Sequence, residues 1–109
     1  MEIYYPDYWV IVDTGECKKV FASWLGGYAQ GASWKLSSGT KEIEDGGFCW
    51  ILPQESGSVY QLHKDTEGVS GWCADVLASF IERLPVIKII TISPEGEFIE
   101  KVEDENSKD

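Results

Sequence analysis

With 109 residues, 43% of them apolar, and five Trp, five Tyr and four Phe, the chain has the size and composition of one folded domain with a single core. A net charge of −10 with one arginine, Arg83, speaks against direct nucleic-acid binding, which needs cations to neutralise phosphates. No apolar run approaches the ~20 residues of a membrane span, so no membrane association is expected.

In chain order, "MEIYYPDYW" opens with no basic n-region and no small-residue cleavage site. A secretory signal is therefore not expected, and the cytoplasm is the expected compartment. Tyr8–Thr14 is aromatic and β-branched, Gly15 supplies a turn, and Val20, Ala22 and Trp24 alternate with Phe21, Ser23 and Leu25. This reads as a hairpin. "GGYAQG" at 26–31 breaks the pattern, and "ASWKLSSG" resumes it. The stretch 21–39 is therefore two strands around a wide turn. It is not a phosphate cradle, because such a loop leads from a strand into a helix N-terminus, and none follows here.

"TKEIEDGG" reads as a polar connection ending in an Asp45–Gly46 turn. "FCWIL" is apolar on both parities and predicts a strand covered on both faces, or one near the sheet centre; "SVYQLH" returns antiparallel to it. The helix is "GWCADVLASFIERL". Val69, Trp72, Cys73, Val76, Leu77, Phe80, Ile81 and Leu84 fall on one stripe at helical spacing. Ser70 is the expected N-cap, Pro85 blocks continuation, and Arg83 suits the C-terminal dipole end. "VIKIITIS" and "EFIEKV" give a last hairpin.

The expected fold is α+β: a mostly antiparallel twisted sheet of about five to seven strands, with one amphipathic helix (about 70–84) packed on one face. Residues 1–102 are expected to form one compact domain, and 103–109 an acidic mobile tail. Residues 94–109 carry seven acids against two lysines, so half of the net charge sits in the last hairpin and tail.

Catalytic constellations are sparse. Cys17, Cys49 and Cys73 are odd in number and widely spaced, which fits free thiols better than a disulfide framework. With His63 they could supply four zinc ligands, but structural zinc takes its ligands in close pairs, so neither metal nor cofactor is expected. His63 is the only histidine, so any Cys–His or Ser–His pair must use it. Beside Lys64 and Asp65 it reads as a solvated residue. No pair of carboxylates stands out for acid–base work, and no catalytic residue is assigned.

Trp24 and Trp34 are expected in the core. If exposed, they would form with Tyr28 an aromatic patch suited to protein contacts. Tyr4 and Tyr5 in "IYYPDYW" would extend it, and Glu42, Glu44 and Asp45 would supply charge. These eight residues are the candidate binding surface. They point to a small, non-enzymatic inhibitor of antitoxin, immunity or anti-defence type. Its partner would be a basic protein such as a nuclease or a nucleic-acid-binding complex. The alternative is a small-molecule-binding or enzymatic domain with a pocket between helix and sheet, with Trp24, Tyr28, Trp34 and Ser37–Ser38 at its mouth. A homo-oligomeric module joined through an uncovered sheet face or edge is the third class.

Overall fold

The structure, a computed structural model, describes residues 1–26, 31–69 and 71–101. These form nine strands and one α-helix: β1 (Ile3–Tyr4), β2 (Tyr8–Asp13), β3 (Lys18–Trp24), β4 (Ser33–Leu36), β5 (Glu44–Asp45), β6 (Cys49–Pro53), β7 (Val59–His63), α1 (Gly71–Arg83), β8 (Lys88–Ile92) and β9 (Phe98–Glu100). The fold is α+β, as expected. The strands divide between two sheets rather than forming one, ordered β1-β7-β6-β5 and β4-β3-β2-β8-β9. All pairs are antiparallel except β1 with β7.

The layering follows from strand periodicity, since alternate side chains leave opposite faces. In β2, Trp9 and Ile11 point to the four-stranded sheet, while Val10 and Val12 point to the helix. In β3, Val20 and Ala22 join the first group and Phe21 the second. The five-stranded sheet is thus the middle of three layers. One core lies between the sheets, where Trp9, Ile11, Val20, Ala22, Trp50, Leu52, Tyr60, Leu62, Ile90 and Ile92 meet. A second lies under the helix, where Cys73 and Leu77 pack on Val10, Val12, Phe21 and Ile87. Burying an aliphatic side chain of this size contributes about 1.5–3 kcal/mol.

This arrangement corrects several expectations. The doubly covered strands are β2 and β3. β6 lies inside its own sheet, between β7 and β5, with Trp50 and Leu52 buried and Cys49 and Ile51 partly open. "TKEIEDGG" contributes the short edge strand β5, which pairs Glu44 with Ile51 and Asp45 with Trp50. On the helix the working stripe is narrower than expected. Trp72 is 56% exposed, and Leu84 lies one residue past the helix at 52%. The Ser70 cap and the 103–109 tail lie outside the described residues.

The β2–β3 turn shows why the hairpin forms where it does. Gly15 takes φ 93°, a left-handed conformation that glycine alone adopts without a Cβ clash. Its N–H donates to the Asp13 carboxylate at 2.8 Å, and the Thr14 N–H donates to the Cys17 carbonyl at 3.0 Å. The segment after β4 crosses between sheets. Ser37 Oγ accepts from the Val20 N–H at 2.8 Å on one sheet. Two residues on, the Gly39 carbonyl accepts from the Glu55 N–H at 2.7 Å on the other. Gln54, 1% exposed, fastens the crossing. Its Oε1 accepts from the Gly39 N–H at 3.2 Å, while its Nε2 donates to Thr40 Oγ1 and to the Leu52 carbonyl, each at 3.0 Å.

Candidate functional site

The two Ala-Ser-Trp triplets face each other across the β3–β4 hairpin. The register pairs Trp24 with Ser33 and Ser23 with Trp34. Directly opposed residues share a face, so this one-residue offset sends the two tryptophans to opposite faces. Both are half-buried. Trp34 lies on the helix side, stacked on Phe21 (centroids 5.5 Å apart, planes at 10°) and edge-on to Phe80 at 5.3 Å. Trp24 packs against the inter-sheet core, edge-on to Tyr4 at 6.3 Å, and its Nε1–H donates to the Tyr5 carbonyl at 3.1 Å. The structure therefore gathers Tyr4, Tyr5 and Trp24, and sends Trp34 elsewhere. Tyr28 lies outside the described residues.

The candidate acids are not brought to this aromatic group. Tyr4 belongs to β1 and Glu44–Asp45 to β5, which form opposite edges of the four-stranded sheet. Asp45 accepts from Lys64 Nζ at 2.8 Å, and the same ammonium sits 4.0 Å above the Trp50 ring. The Lys64 contact, helped by the Gly47 N–H, holds the Asp45 carboxyl below the usual carboxylate range. Among the described residues Glu42 forms no ion pair. It lines an open groove of about 730 Å³ with Glu16, Glu55 and Glu97, alongside Lys18 and Lys41. Those four acids come from the β2–β3 turn, the β4–β5 connection, the β6–β7 turn and the β8–β9 turn. Sequence reading singled out only Glu42, because acids in turns are ordinary and only the topology brings these together.

A second concavity, of about 410 Å³, opens between the sheets at the β1/β4 side. Glu2, Tyr4, Ser56, Ser58 and Tyr60 line it from one sheet, and Lys19, Lys35, Leu36, Ser37 and Ser38 from the other. The pocket expected between helix and sheet is not where Ser37 and Ser38 lead. That layer is filled at Trp34 by the Phe21 and Phe80 rings, and the two serines open toward the other sheet.

Tyr60 is 1% exposed, its ring is stacked on Tyr4 (4.9 Å, 25°), and its hydroxyl has no hydrogen-bond partner. A buried orphan of this kind costs about 1–3 kcal/mol. Burial, with smaller contributions from Tyr4 and Glu2, pushes the phenol up to about 12. Tyr4, whose hydroxyl donates to the Glu2 carboxylate at 2.7 Å, is raised as well, chiefly by that bond. Because the folded-state value for Tyr60 lies above the ordinary 10, its contribution to stability is complete below pH 10 and is lost as the pH rises toward 12. Phenolate absorbance should accordingly show a late-titrating tyrosine that is missing in Tyr60→Phe.

Of the catalytic groups considered from sequence, Cys49 and His63 come to neighbouring positions. The β6–β7 register sets Cys49 opposite His63, but no hydrogen bond joins them, and His63 Nδ1 accepts from the Asp65 N–H at 3.2 Å. Burial pushes the Cys73 thiol up, which lowers its nucleophilic fraction. Among the described residues no three His, Cys, Asp or Glu side chains gather as a metal site, and no helix is long and apolar enough to cross a membrane. Compared with protein-family models, curated proteins and solved structures, the chain matches none.

Proposed function

We propose that this is a non-enzymatic binding protein of the cytoplasm that inhibits a basic, nucleic-acid-acting protein by docking an acidic surface on it. The observation that carries this reading is the groove where Glu16, Glu42, Glu55 and Glu97 converge beside Cys17, Ile43 and Phe98. None of the four carboxylates forms an ion pair among the described residues. A groove that carries four carboxylates against two lysines, with Ile43 and Phe98 among its walls, complements a lysine- or arginine-rich segment around an apolar anchor. Surplus negative charge also speeds encounter with a basic partner.

The exposed Tyr5, with Leu25 and the half-buried Trp24 near it, supplies a separate aromatic contact. It lies with β1, away from the β5 edge. The reading therefore places the charge of recognition in the groove and treats the aromatic cluster as an additional anchor.

The test is retention of host proteins on the immobilised chain at low and moderate salt, for wild type and for a variant with all four glutamates changed to glutamine. A basic nucleic-acid-acting protein retained at low salt should be released by salt. The quadruple variant should hold it about 10- to 100-fold more weakly, as expected when several charges facing a partner are removed. Equal retention by the variant, or no basic protein at low salt, would overturn the reading.

A further inference from the structure

We propose that the cleft between the sheets at the β1/β4 side is a binding site for a small anionic metabolite, which presents a phosphate- or carboxylate-type oxyanion to Lys19, Lys35 and the hydroxyls of Ser37, Ser38 and Tyr60. The site is built from donors. Ser37 Oγ accepts from the Val20 N–H, Ser38 Oγ from the Ser56 N–H, and Ser56 Oγ from the Ser58 N–H. Each of these oxygens has spent acceptor capacity on the backbone, which leaves its own O–H proton to donate. Lys19 and Lys35 have no ion-pair partner among the described residues. Lys35 Nζ is held 5.5 Å above the Tyr4 ring, and so at the cleft wall.

Acceptors are scarce by comparison. The one carboxylate in the lining, Glu2, already accepts the Tyr4 hydroxyl. The lining thus carries a net positive charge within a chain of −10. Repulsion from distant carboxylates is screened over about 10 Å at ordinary salt, whereas ammonium groups in contact with a ligand are not, so the local charge decides.

The Tyr60 hydroxyl is the second, independent observation. It is buried without a hydrogen-bond partner, on a residue that lines this cleft. Buried hydroxyls are nearly always satisfied, and an orphan calls for a missing partner. An oxyanion supplies one, because a phenol donates readily to a charged acceptor. The Tyr4 ring is already stacked on Tyr60, with the Lys35 ammonium 5.5 Å from its centroid. A volume of about 410 Å³ exceeds an isolated phosphate and falls within the range of small-ligand pockets. It leaves room for a compact polar body such as a sugar or a short carboxylic acid.

The experiment is an amide-resolved NMR titration of the full chain with inorganic phosphate, glucose 6-phosphate, citrate and neutral glucose, repeated on Lys35→Gln, Lys19→Gln and Tyr60→Phe. Saturable shifts should map to Lys35, Ser37, Ser58 and Tyr60 with at least one organic anion, and glucose should give none. A sugar phosphate preferred over citrate identifies a phosphate head, and the reverse a carboxylate. Each lysine variant should weaken binding about tenfold, the loss of one charged contact. Tyr60→Phe should weaken it several-fold while keeping the wild-type amide dispersion, so that lost binding is not lost folding. The groove variant with its four glutamates replaced should bind as wild type, which keeps this result separate from the docking test. No saturable shift with any anion, equal response to glucose, or unchanged affinity in both Lys35→Gln and Tyr60→Phe would overturn the proposal.

Discussion

Replacing Trp9 with alanine is expected to destabilise the protein by about 3–5 kcal/mol, the range for truncating a large aromatic in a packed core. Trp9 is 1% exposed and lies in the inter-sheet core. Its Nε1–H donates to the His63 carbonyl at 2.8 Å, the last residue of β7 on the opposite sheet. The side chain thus fills the space between the layers and joins them by a hydrogen bond. Against a typical domain stability of roughly 5–15 kcal/mol, the loss would leave a fold near its threshold. Thermal unfolding should move down by on the order of 20 °C. Trp9→Phe separates the two contributions: it keeps most of the apolar volume, leaves the His63 carbonyl only its Thr66 hydroxyl donor at 3.2 Å, and should cost about 1–2 kcal/mol. A Trp9→Ala protein that melts within a few degrees of wild type would show that the inter-sheet core does not carry the stability assigned to it.

Gln54→Leu should cost about 3 kcal/mol, although leucine is more apolar and of similar size. The amide serves both ends of the inter-sheet crossing, accepting from Gly39 and donating to Thr40 and Leu52. Leucine would strand the Gly39 N–H in a buried position, and an unsatisfied buried group costs about 1–3 kcal/mol before any rearrangement. Glutamate makes a useful second variant. Its carboxylate can still accept from Gly39, but it faces the Leu52 carbonyl with no donor and carries a buried charge. It should be at least as damaging as leucine near neutral pH and should recover as acid protonates it. Urea unfolding of the two variants at neutral and mildly acidic pH checks both statements. A Gln54→Leu protein as stable as wild type would mean that the crossing is held by its backbone bonds alone.

These residues illustrate what could be read without coordinates. The helix was legible because the rhythm of Cys73, Val76, Leu77, Phe80 and Ile81 has one solution, and because Pro85 ends it. β2 and β3 were legible as strands from their branched and aromatic residues. Their position between two layers was not, although Val10, Val12 and Phe21 complete the both-parity signature in the sequence itself. "FCWIL" carries the same signature at an interior place in its sheet, so the pattern does not tell a strand between two layers from one near a sheet centre. The division into two sheets was hidden for a different reason. Each strand's periodicity is local, whereas the crossing at Ser37–Gly39 depends on hydrogen bonds to residues 15 or more positions away.

The candidate surface fared unevenly for the same reason. Tyr4 and Trp24 meet because β1 and the end of β3 lie at the same side of the sandwich, yet no motif announces a contact 20 residues apart. Trp24 and Trp34 look like a pair in the sequence and are separated by a single step of register. Tyr60 could have been suspected. A tyrosine at an inward position beside Leu62 must find a partner for its hydroxyl, and nothing nearby in the sequence offers one.

The middle position of β2 and β3 also bears on how the chain is made. In synthesis order this hairpin is the first long antiparallel pair to appear, and it is the one whose two faces are both apolar. β6 and β7, which cover one face, emerge some tens of residues later, and α1, which covers the other, later still. A hairpin with two apolar faces is therefore complete before either of its covers has been made. For that interval the nascent chain displays Trp9, Ile11 and Val20 on one side and Val10, Val12 and Phe21 on the other, and self-association during translation competes with folding. The surplus of acidic residues on the finished surface acts too late to prevent it.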